Sequence, residues 1–167
     1  MKVVITKGNK SVEAEIPDEQ FEKLFAEKKK TGYERVENNE FYWFMDSGLE
    51  KVGVYDQRSS DDCERYEFAN YFSDKTVAEN IARAQKLWNR IHRRAVELCE
   101  PVYQREDGSL YTICFDPQDN KIFADDWVTR HFGEIYFDTE EHGNQIINEF
   151  YDELFWYFTE FKDRADM

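Results

Sequence analysis

Two glutamates and a histidine stand next to one another at residues 140–142, in the stretch EIYFDTEEHGNQII. A carboxylate beside an imidazole can serve acid–base catalysis, and the same groups can bind a metal ion. The chain has three histidines, His92, His131 and His142, but no H-E-x-x-H, G-x-S-x-G or glycine-rich phosphate-binding motif. The residue types therefore allow chemistry here, without matching a known catalytic motif.

The same stretch is also typical of the start of a helix. Asp138 and Glu141 have the spacing of a capping box, and Thr139 is the alternative cap. Acids in the first turn favour the positive end of a helix. A related segment earlier in the chain has Lys75-Thr76-Val77 at the positions of 140–142, so a site built on these three side chains would exist in one copy only. We interpret the stretch as a helix start.

The related segments suggest an internal repeat. Aromatic-rich hairpins are predicted at 41–57 and 111–127, and each is followed by a strand end, a cap and a long helix. At the strand ends, Tyr71-Phe72 aligns with Tyr136-Phe137, and in the hairpins YWFM aligns with YTIC, so that Tyr42 matches Tyr111. The pattern predicts two copies of one hairpin–helix (ββα) unit that differ in loop length.

A smaller ββα segment precedes the repeat, with a turn at Gly8-Asn9 and a helix from Pro17 to the lysines before residue 31. We therefore predict an α+β fold in one compact domain. Its sub-units would be a preface, a first repeat and an acidic second repeat, at 1–40, 41–100 and 101–167. The two long helices are expected to pack through the apolar stripes Ile81–Leu98 and Ile147–Phe158.

The first long helix has an apolar face and a basic face. The apolar face is predicted from Ile81, Ala84, Trp88, Ile91, Ala95 and Leu98, with Trp88 in the core. The cations of the other face could bind phosphate, or they could pair with carboxylates of the second repeat, with Arg93 and Arg94 toward its acidic helix. This face consists of Arg83, Lys86, Arg90, Arg93 and Arg94.

Net charge is −14, and residues 101–167 hold 16 acids against 5 Lys/Arg. Acidity can serve solubility alone, but an acidic surface also repels nucleic acid and membranes and attracts basic partners. We therefore predict a basic protein surface as partner, with no direct binding of nucleic acid or membrane. The candidate binding carboxylates are Asp125, Asp126, Glu134, Glu140, Glu149, Asp152, Glu153, Glu160 and Asp163.

The last helix carries aromatic residues around most of its circumference, which suggests a second buried face. The hairpins and the N-terminal segment could cover that face within one chain. Alternatively, it forms a homodimer or binds a partner, and the predicted interface residues are then Phe155, Trp156 and Tyr157.

The sequence contains no signal for a cofactor, a metal ion or a membrane. Cys63, Cys99 and Cys114 are far apart in sequence, which favours free thiols in a reducing cytoplasm over a zinc site. The aspartate-rich segment 116–126 lacks the glycine and glutamate of a calcium loop. The first residues turn polar too early for a signal peptide, and no apolar run approaches ~18 residues. No catalytic residue, metal or cofactor is predicted.

The phrases NYFSDKTVAENI and IYFDTEEHGNQII resemble a pattern found in small cytoplasmic proteins of phages and prophages. There, an aromatic-rich strand ends in Y/N-x-F-x-[ST]-x-E-x-A and runs into a helix. The second copy has Gly143 where Ala is usual. Residues of the pattern kept here are Asn70, Phe72, Ala78, Phe137 and Thr139. The family has no catalytic residues to transfer. The resemblance implies a mobile-element origin, and many such proteins block host defences, anti-CRISPR proteins among them.

Three functional interpretations follow. The first is an inhibitor that occupies the nucleic-acid channel of a CRISPR–Cas effector nuclease as an acidic decoy, because such channels are strongly positive. The second is a non-catalytic phage accessory or scaffold protein that acts through its aromatic C-terminal helix. The third is an enzyme without a recognisable motif.

Overall fold

The computed structural model describes residues 2–8, 10–15, 17, 30–100, 110–127, 129, 131 and 133–167. The chain forms two compact units, Met1–Lys30 and Thr31–Met167, where the sequence predicted one domain with a preface ending at residue 40. In the first unit, β1 (Lys2–Lys7) pairs antiparallel with β2 (Lys10–Glu15). Gly8 makes the turn with φ of 62°, a backbone conformation that glycine adopts without steric cost. The helix predicted after Pro17 lies outside the described residues.

The second unit contains two antiparallel hairpins and four helices within its described residues. The elements are β3 (Phe41–Met45), β4 (Lys51–Tyr55), α1 (Ser60–Glu67), α2 (Lys75–Leu98), β5 (Leu110–Asp116), β6 (Lys121–Trp127), α3 (Glu140–Glu149) and α4 (Tyr151–Thr159). The fold is α+β, as predicted. Across the part of the chain that the structure describes, no helix combines the length and apolar character needed to span a membrane.

Each hairpin of the second unit gains one further bridge from the segment that leads into the next long helix. Trp43 exchanges backbone hydrogen bonds with Phe72, both at 2.8 Å, and Tyr111 does so with Phe137 at 3.0 and 2.8 Å. Phe72 and Phe137 are both fully buried. The bridges make Trp43, rather than Tyr42, the counterpart of Tyr111, so the predicted alignment of the hairpins is wrong by one position.

The two helix starts agree with the predicted alignment of the strand ends. Asp74 caps α2 by accepting hydrogen bonds from the Thr76 and Val77 N–H groups, and Thr139 caps α3 by accepting one from His142 N–H. The stretch at 138–142 is thus a helix start, as predicted, but its cap is Thr139. Asp138 lies one residue too early for this role.

Two helical features differ from the sequence prediction. Helix α1 was not predicted from the sequence. It begins at a capping box formed by Ser59 and Asp62, which lie in a polar segment of the sequence. The last helix is divided at Phe150, whose φ of −118° and ψ of 20° depart from helical values. Glu149 therefore ends α3, and Tyr151 begins α4.

The main core lies where α2 meets α3, α4 and the second hairpin. Its buried members are Leu87, Ile91, Ala95, Ile122, Phe137, Ile146, Ile147, Phe150 and Leu154. Side chains of α2, α3 and α4 share this core, but Trp88, which was predicted as a core residue, is 39 % exposed. The buried face of α2 includes Leu87 instead of the predicted Trp88, the next residue in the chain. Trp88 instead stacks on His92 and donates from Nε1 to the Gly133 carbonyl at 2.9 Å.

A buried carboxylate holds the segment before β3 to the end of the first hairpin. Asp56 is fully buried and accepts from Arg35 Nε at 3.1 Å, Tyr71 Oη at 2.9 Å and Arg58 N–H at 2.8 Å. Burial raises the pKa of Asp56, but the hydrogen bonds, led by that of Arg35, outweigh burial and lower the pKa. The carboxylate is therefore ionised in the folded protein at neutral pH.

A second buried carboxylate fixes α1. Asp62 accepts from Tyr42 Oη at 2.6 Å and from the Ser59 hydroxyl at 2.7 Å. Burial raises the pKa of Asp62, but these hydrogen bonds and those of backbone N–H groups outweigh burial and lower the pKa to about 2. Tyr42 stacks on Tyr71 with ring centroids 3.9 Å apart, so the two carboxylate sites share one aromatic pair.

Candidate functional site

The nine predicted binding carboxylates do not all remain available to a partner. Glu149 accepts from Arg94 Nε at 3.0 Å, and Glu153 accepts from Arg90 at 2.6 Å. These pairs join α3 and α4 to α2, so the two glutamates hold the helices together. Glu134 is exposed but accepts a hydrogen bond from Tyr136 Oη at 2.8 Å.

The six other candidates are exposed, and no salt bridge joins them to a cation within the described residues. We call them the unpaired carboxylates: Asp125, Asp126, Glu140, Asp152, Glu160 and Asp163. Asp125 and Asp126 lie near the end of β6, and Glu140 lies in the first turn of α3. These two elements touch, because a Cβ on Gly143 would come within 2.8 Å of the Ala124 Cβ. This close approach also explains why glycine stands where the resemblance pattern has alanine.

The basic face of α2 is neutralised within the chain. Lys86 pairs with Glu50 from the first hairpin, as Lys51 of that hairpin pairs with Glu79 of α2. Arg83 lies over the Trp156 ring, with its guanidinium carbon 3.7 Å from the ring centroid. Most of these groups line one open cleft of about 820 Å³, whose charged residues are Glu50, Glu79, Glu153, Lys51, Arg83, Lys86 and Arg90. The three acids offset three of the four bases, which leaves little positive charge for a phosphate group.

The pairing of α2 with the acidic helices was predicted for Arg93 and Arg94. The pairing is confirmed for Arg94, which binds Glu149, and Arg90 forms a further pair with Glu153. The prediction is wrong for Arg93, which is 77 % exposed and reaches Glu97 of its own helix at 4.0 Å. Position 93 is displaced by about 100° around the helix from position 94, and its side chain is directed toward solvent.

The predicted aromatic interface is corrected in its central residue. Trp156 is buried, with Arg83 over one face of its ring and Phe161 at its edge. Phe155 is half-buried and Tyr157 is 40 % exposed. The helix is aromatic on several sides because α2, the second hairpin and the C-terminal residues cover it from different directions. Tyr157 alone of the three offers a large exposed ring.

Tyr157 borders an apolar cleft of about 440 Å³ between α2, α4 and the second hairpin. Aliphatic and aromatic side chains form most of its walls. They include Ile81, Trp88, Ile135, Leu154, Phe158 and Phe161. Its polar side chains are few and include Glu134, Gln85 and Thr112. A cleft of this size and composition suits a hydrophobic side chain or a small apolar ligand.

One group of metal-binding residue types comes together within the described part of the chain: Cys99, Asp138 and His142. One possible ligand atom from each lies within 4.8 Å of the other two. Asp138 is buried, and its two oxygens contact His142 Nδ1 at 2.6 Å and Glu100 N–H at 3.0 Å. Cys99 and His142 are partly exposed.

The protonation of this cluster follows from its contacts. Burial raises the pKa of Asp138, but the hydrogen bonds from His142, Glu100 and Cys99 outweigh burial and lower the pKa to about 2. Burial and the neighbouring Asp138 carboxylate raise the pKa of Cys99 to about 11. Cys99 is therefore a thiol at neutral pH, which makes it a poor nucleophile.

No sequence pattern brings these three residues together. Cys99 is the C-cap of α2 and Asp138 precedes α3, with the whole second hairpin between them, so no short motif joins them. The available signal was the i, i+4 spacing of Asp138 and His142, which places them one helical turn apart. The cleft was missed for the same reason, because its walls come from three distant segments.

Comparison with known proteins adds no assignment: the chain matches no protein-family model, no curated protein and no solved structure.

Proposed function

We propose that the protein is an inhibitor that binds the basic nucleic-acid-binding surface of a bacterial defence nuclease as an acidic decoy. The expected target is a CRISPR–Cas effector nuclease in the cytoplasm of the host cell. The observation that supports this proposal is the unequal pairing of charges. The cations of α2 are largely occupied by internal partners, whereas the unpaired carboxylates face solvent.

The outward electric field follows from this pairing. A net charge of −14 remains on a small chain, and its basic cluster does not present a separate positive patch. Such a protein is repelled by nucleic acid and attracted to channels that hold a guide and target by their phosphates. Carboxylates then take positions where phosphate oxygens would bind lysine and arginine. Binding of this kind needs no catalytic residue.

The direct test is competition for DNA loading. A guide-loaded CRISPR–Cas effector nuclease is incubated with its target duplex, with and without this protein, and bound DNA is measured by mobility shift. We expect the protein to reduce DNA loading at low salt, and to do so less as salt rises beyond about 0.15 M, where the Debye length falls below about 8 Å. The protein alone should shift no DNA. Unchanged loading at every salt concentration would contradict the proposal.

A second candidate function is that of an accessory or scaffold protein, favoured by the apolar cleft beside Tyr157. An exposed aromatic ring next to an open apolar cleft is the kind of feature that a second copy of the chain can fill symmetrically. The homodimer predicted from the last helix would then depend on Tyr157 rather than on Trp156.

This alternative predicts a mass of twice 20.2 kDa by light scattering at micromolar concentration. Replacing Tyr157 with Ser should restore the monomer, because the ring is removed without a buried group being left unpaired. Tyr151→Ser is the matched control, since Tyr151 is similarly exposed but does not line the cleft. A wild-type protein that is strictly monomeric would rule out the dimer.

A further inference from the structure

The end of α2 and the start of α3 meet at a cluster whose three side chains are all common ligands of one class of metal ion. Cys99 offers a thiol, Asp138 a carboxylate and His142 an imidazole. Protein zinc sites use these groups at about 2.0–2.3 Å from the metal. Ligand atoms around a tetrahedral centre are then about 3.3–3.7 Å apart. The observed separations, all within 4.8 Å, need only small side-chain adjustments to reach those values.

The backbone around the cluster is already fixed. Cys99 is the C-cap of α2, with its N–H bonded to the Ala95 carbonyl at 2.8 Å. On the other side, the Thr139 cap sets the first turn of α3 and thereby the position of His142. Asp138 between them is held by Glu100 N–H through the oxygen that His142 does not contact. That hydrogen bond can orient the carboxylate while its other oxygen binds a metal.

We propose that Cys99, Asp138 and His142 form a Zn²⁺ site with a fourth position for water. The thiol selects a borderline or soft cation and disfavours Mg²⁺ and Ca²⁺, which prefer all-oxygen ligand sets. Partial exposure of Cys99 and His142 provides an entry path from solvent. The surrounding negative charge of the chain raises the local concentration of cations.

Binding replaces the hydrogen bonds that Cys99 and His142 form with Asp138, and it releases one proton. The Cys99 S–H proton leaves to solvent as the thiolate binds Zn²⁺, so that no oxidant or reductant is needed. The hydrogen bond of 2.6 Å between His142 Nδ1 and Asp138 is replaced by bonds from both groups to the metal. If Nδ1 is the ligand atom, the imidazole proton resides on Nε2. The metal would then link the C-terminal end of α2 to the N-terminal end of α3.

The test begins with zinc titration of the wild-type protein against a chromophoric chelator. We expect one Zn²⁺ per chain, with affinity that increases with pH because a thiol proton is released. Cys99→Ser and His142→Ala should each weaken binding by at least about tenfold. The matched controls are Cys114→Ser and His131→Ala, which remove the same groups elsewhere and should bind zinc as the wild type does. Circular dichroism checks that each variant is folded.

Two measurements on the wild-type protein keep the proposal testable even if a variant does not fold. Co²⁺ in place of Zn²⁺ should give a thiolate-to-metal charge-transfer band in the near ultraviolet. Zinc should also protect Cys99, but not Cys114, from alkylation, as mapped by mass spectrometry. Absence of stoichiometric zinc binding, absence of the cobalt band, or equal protection of both cysteines would each overturn the site. None of these readouts depends on the proposed inhibitor function.

Discussion

Reversing Asp125, Asp126 and Glu140 to lysine should slow association with the basic nuclease by at least about tenfold while the fold survives. All three side chains are exposed, and no described cation forms a salt bridge with them, so their replacement breaks no internal ion pair. They lie on β6 and on the first turn of α3, two elements that pack together. Asp126 shares a strand face with Ala124, which contacts α3, whereas its neighbour Asp125 lies on the opposite face. The reversal therefore changes the acidic surface on both sides of the hairpin end.

The measurement is the association rate constant at several salt concentrations, by stopped-flow fluorescence. The matched control reverses Asp61, Glu64 and Glu67 of α1, which are also exposed and include one residue in a first helical turn. Each replacement of an acid by lysine changes the charge by +2, so each triple variant has a net charge of −8 instead of −14. If the second hairpin carries binding, only the first variant should associate slowly. Equal slowing in both would assign the effect to net charge, and no slowing in either would contradict the decoy mechanism.

Replacing Asp56 with Asn should cost about 3 kcal/mol of unfolding free energy, the low end of the range for breaking a buried ion pair. Asn has nearly the same volume, so no cavity adds to the loss. Arg35 then keeps its charge without a counter-ion, and Tyr71 loses a charged acceptor. The low end applies because Arg35 is 23 % exposed and part of its charge is solvated. Asp61→Asn, at an exposed position, should change stability by no more than about 0.5 kcal/mol.

The effect of Asp56→Asn should depend on pH in a defined direction. The folded-state pKa of Asp56 lies below its unfolded value of about 3.9, so the ionised carboxylate stabilises the fold above that pH. The contribution is lost as pH falls through the folded pKa. Urea titrations should therefore show a constant difference between wild type and variant above about pH 5, and a smaller one below about pH 4. A loss under about 1 kcal/mol at pH 7 would show that the Asp56 network does not stabilise the fold.

The sequence alone determined the features that depend on neighbouring residues. The hairpins are specified by strands rich in aromatic and aliphatic residues on either side of polar turns. The starts of α2 and α3 are specified by polar capping residues, among which the structure selects Asp74 and Thr139. These signals act within a few residues, since a cap satisfies N–H groups of its own first turn. The two buried phenylalanines before these caps, Phe72 and Phe137, were aligned correctly for the same reason.

The tertiary structure decided which side of each helix is buried and which charged side chains have no ion-pair partner within the described residues. Leu87 and Trp88 both fit an apolar stripe of α2, and only the position of α3 and α4 selects Leu87. Because α2 packs beside α3 and α4, Arg90 and Arg94 form ion pairs with Glu153 and Glu149. These two glutamates are therefore not available to a partner. Packing also brings Cys99 to His142, although the second hairpin separates them in the sequence. Periodicity gives the direction of a side chain relative to its own helix axis, but not which neighbour that side meets.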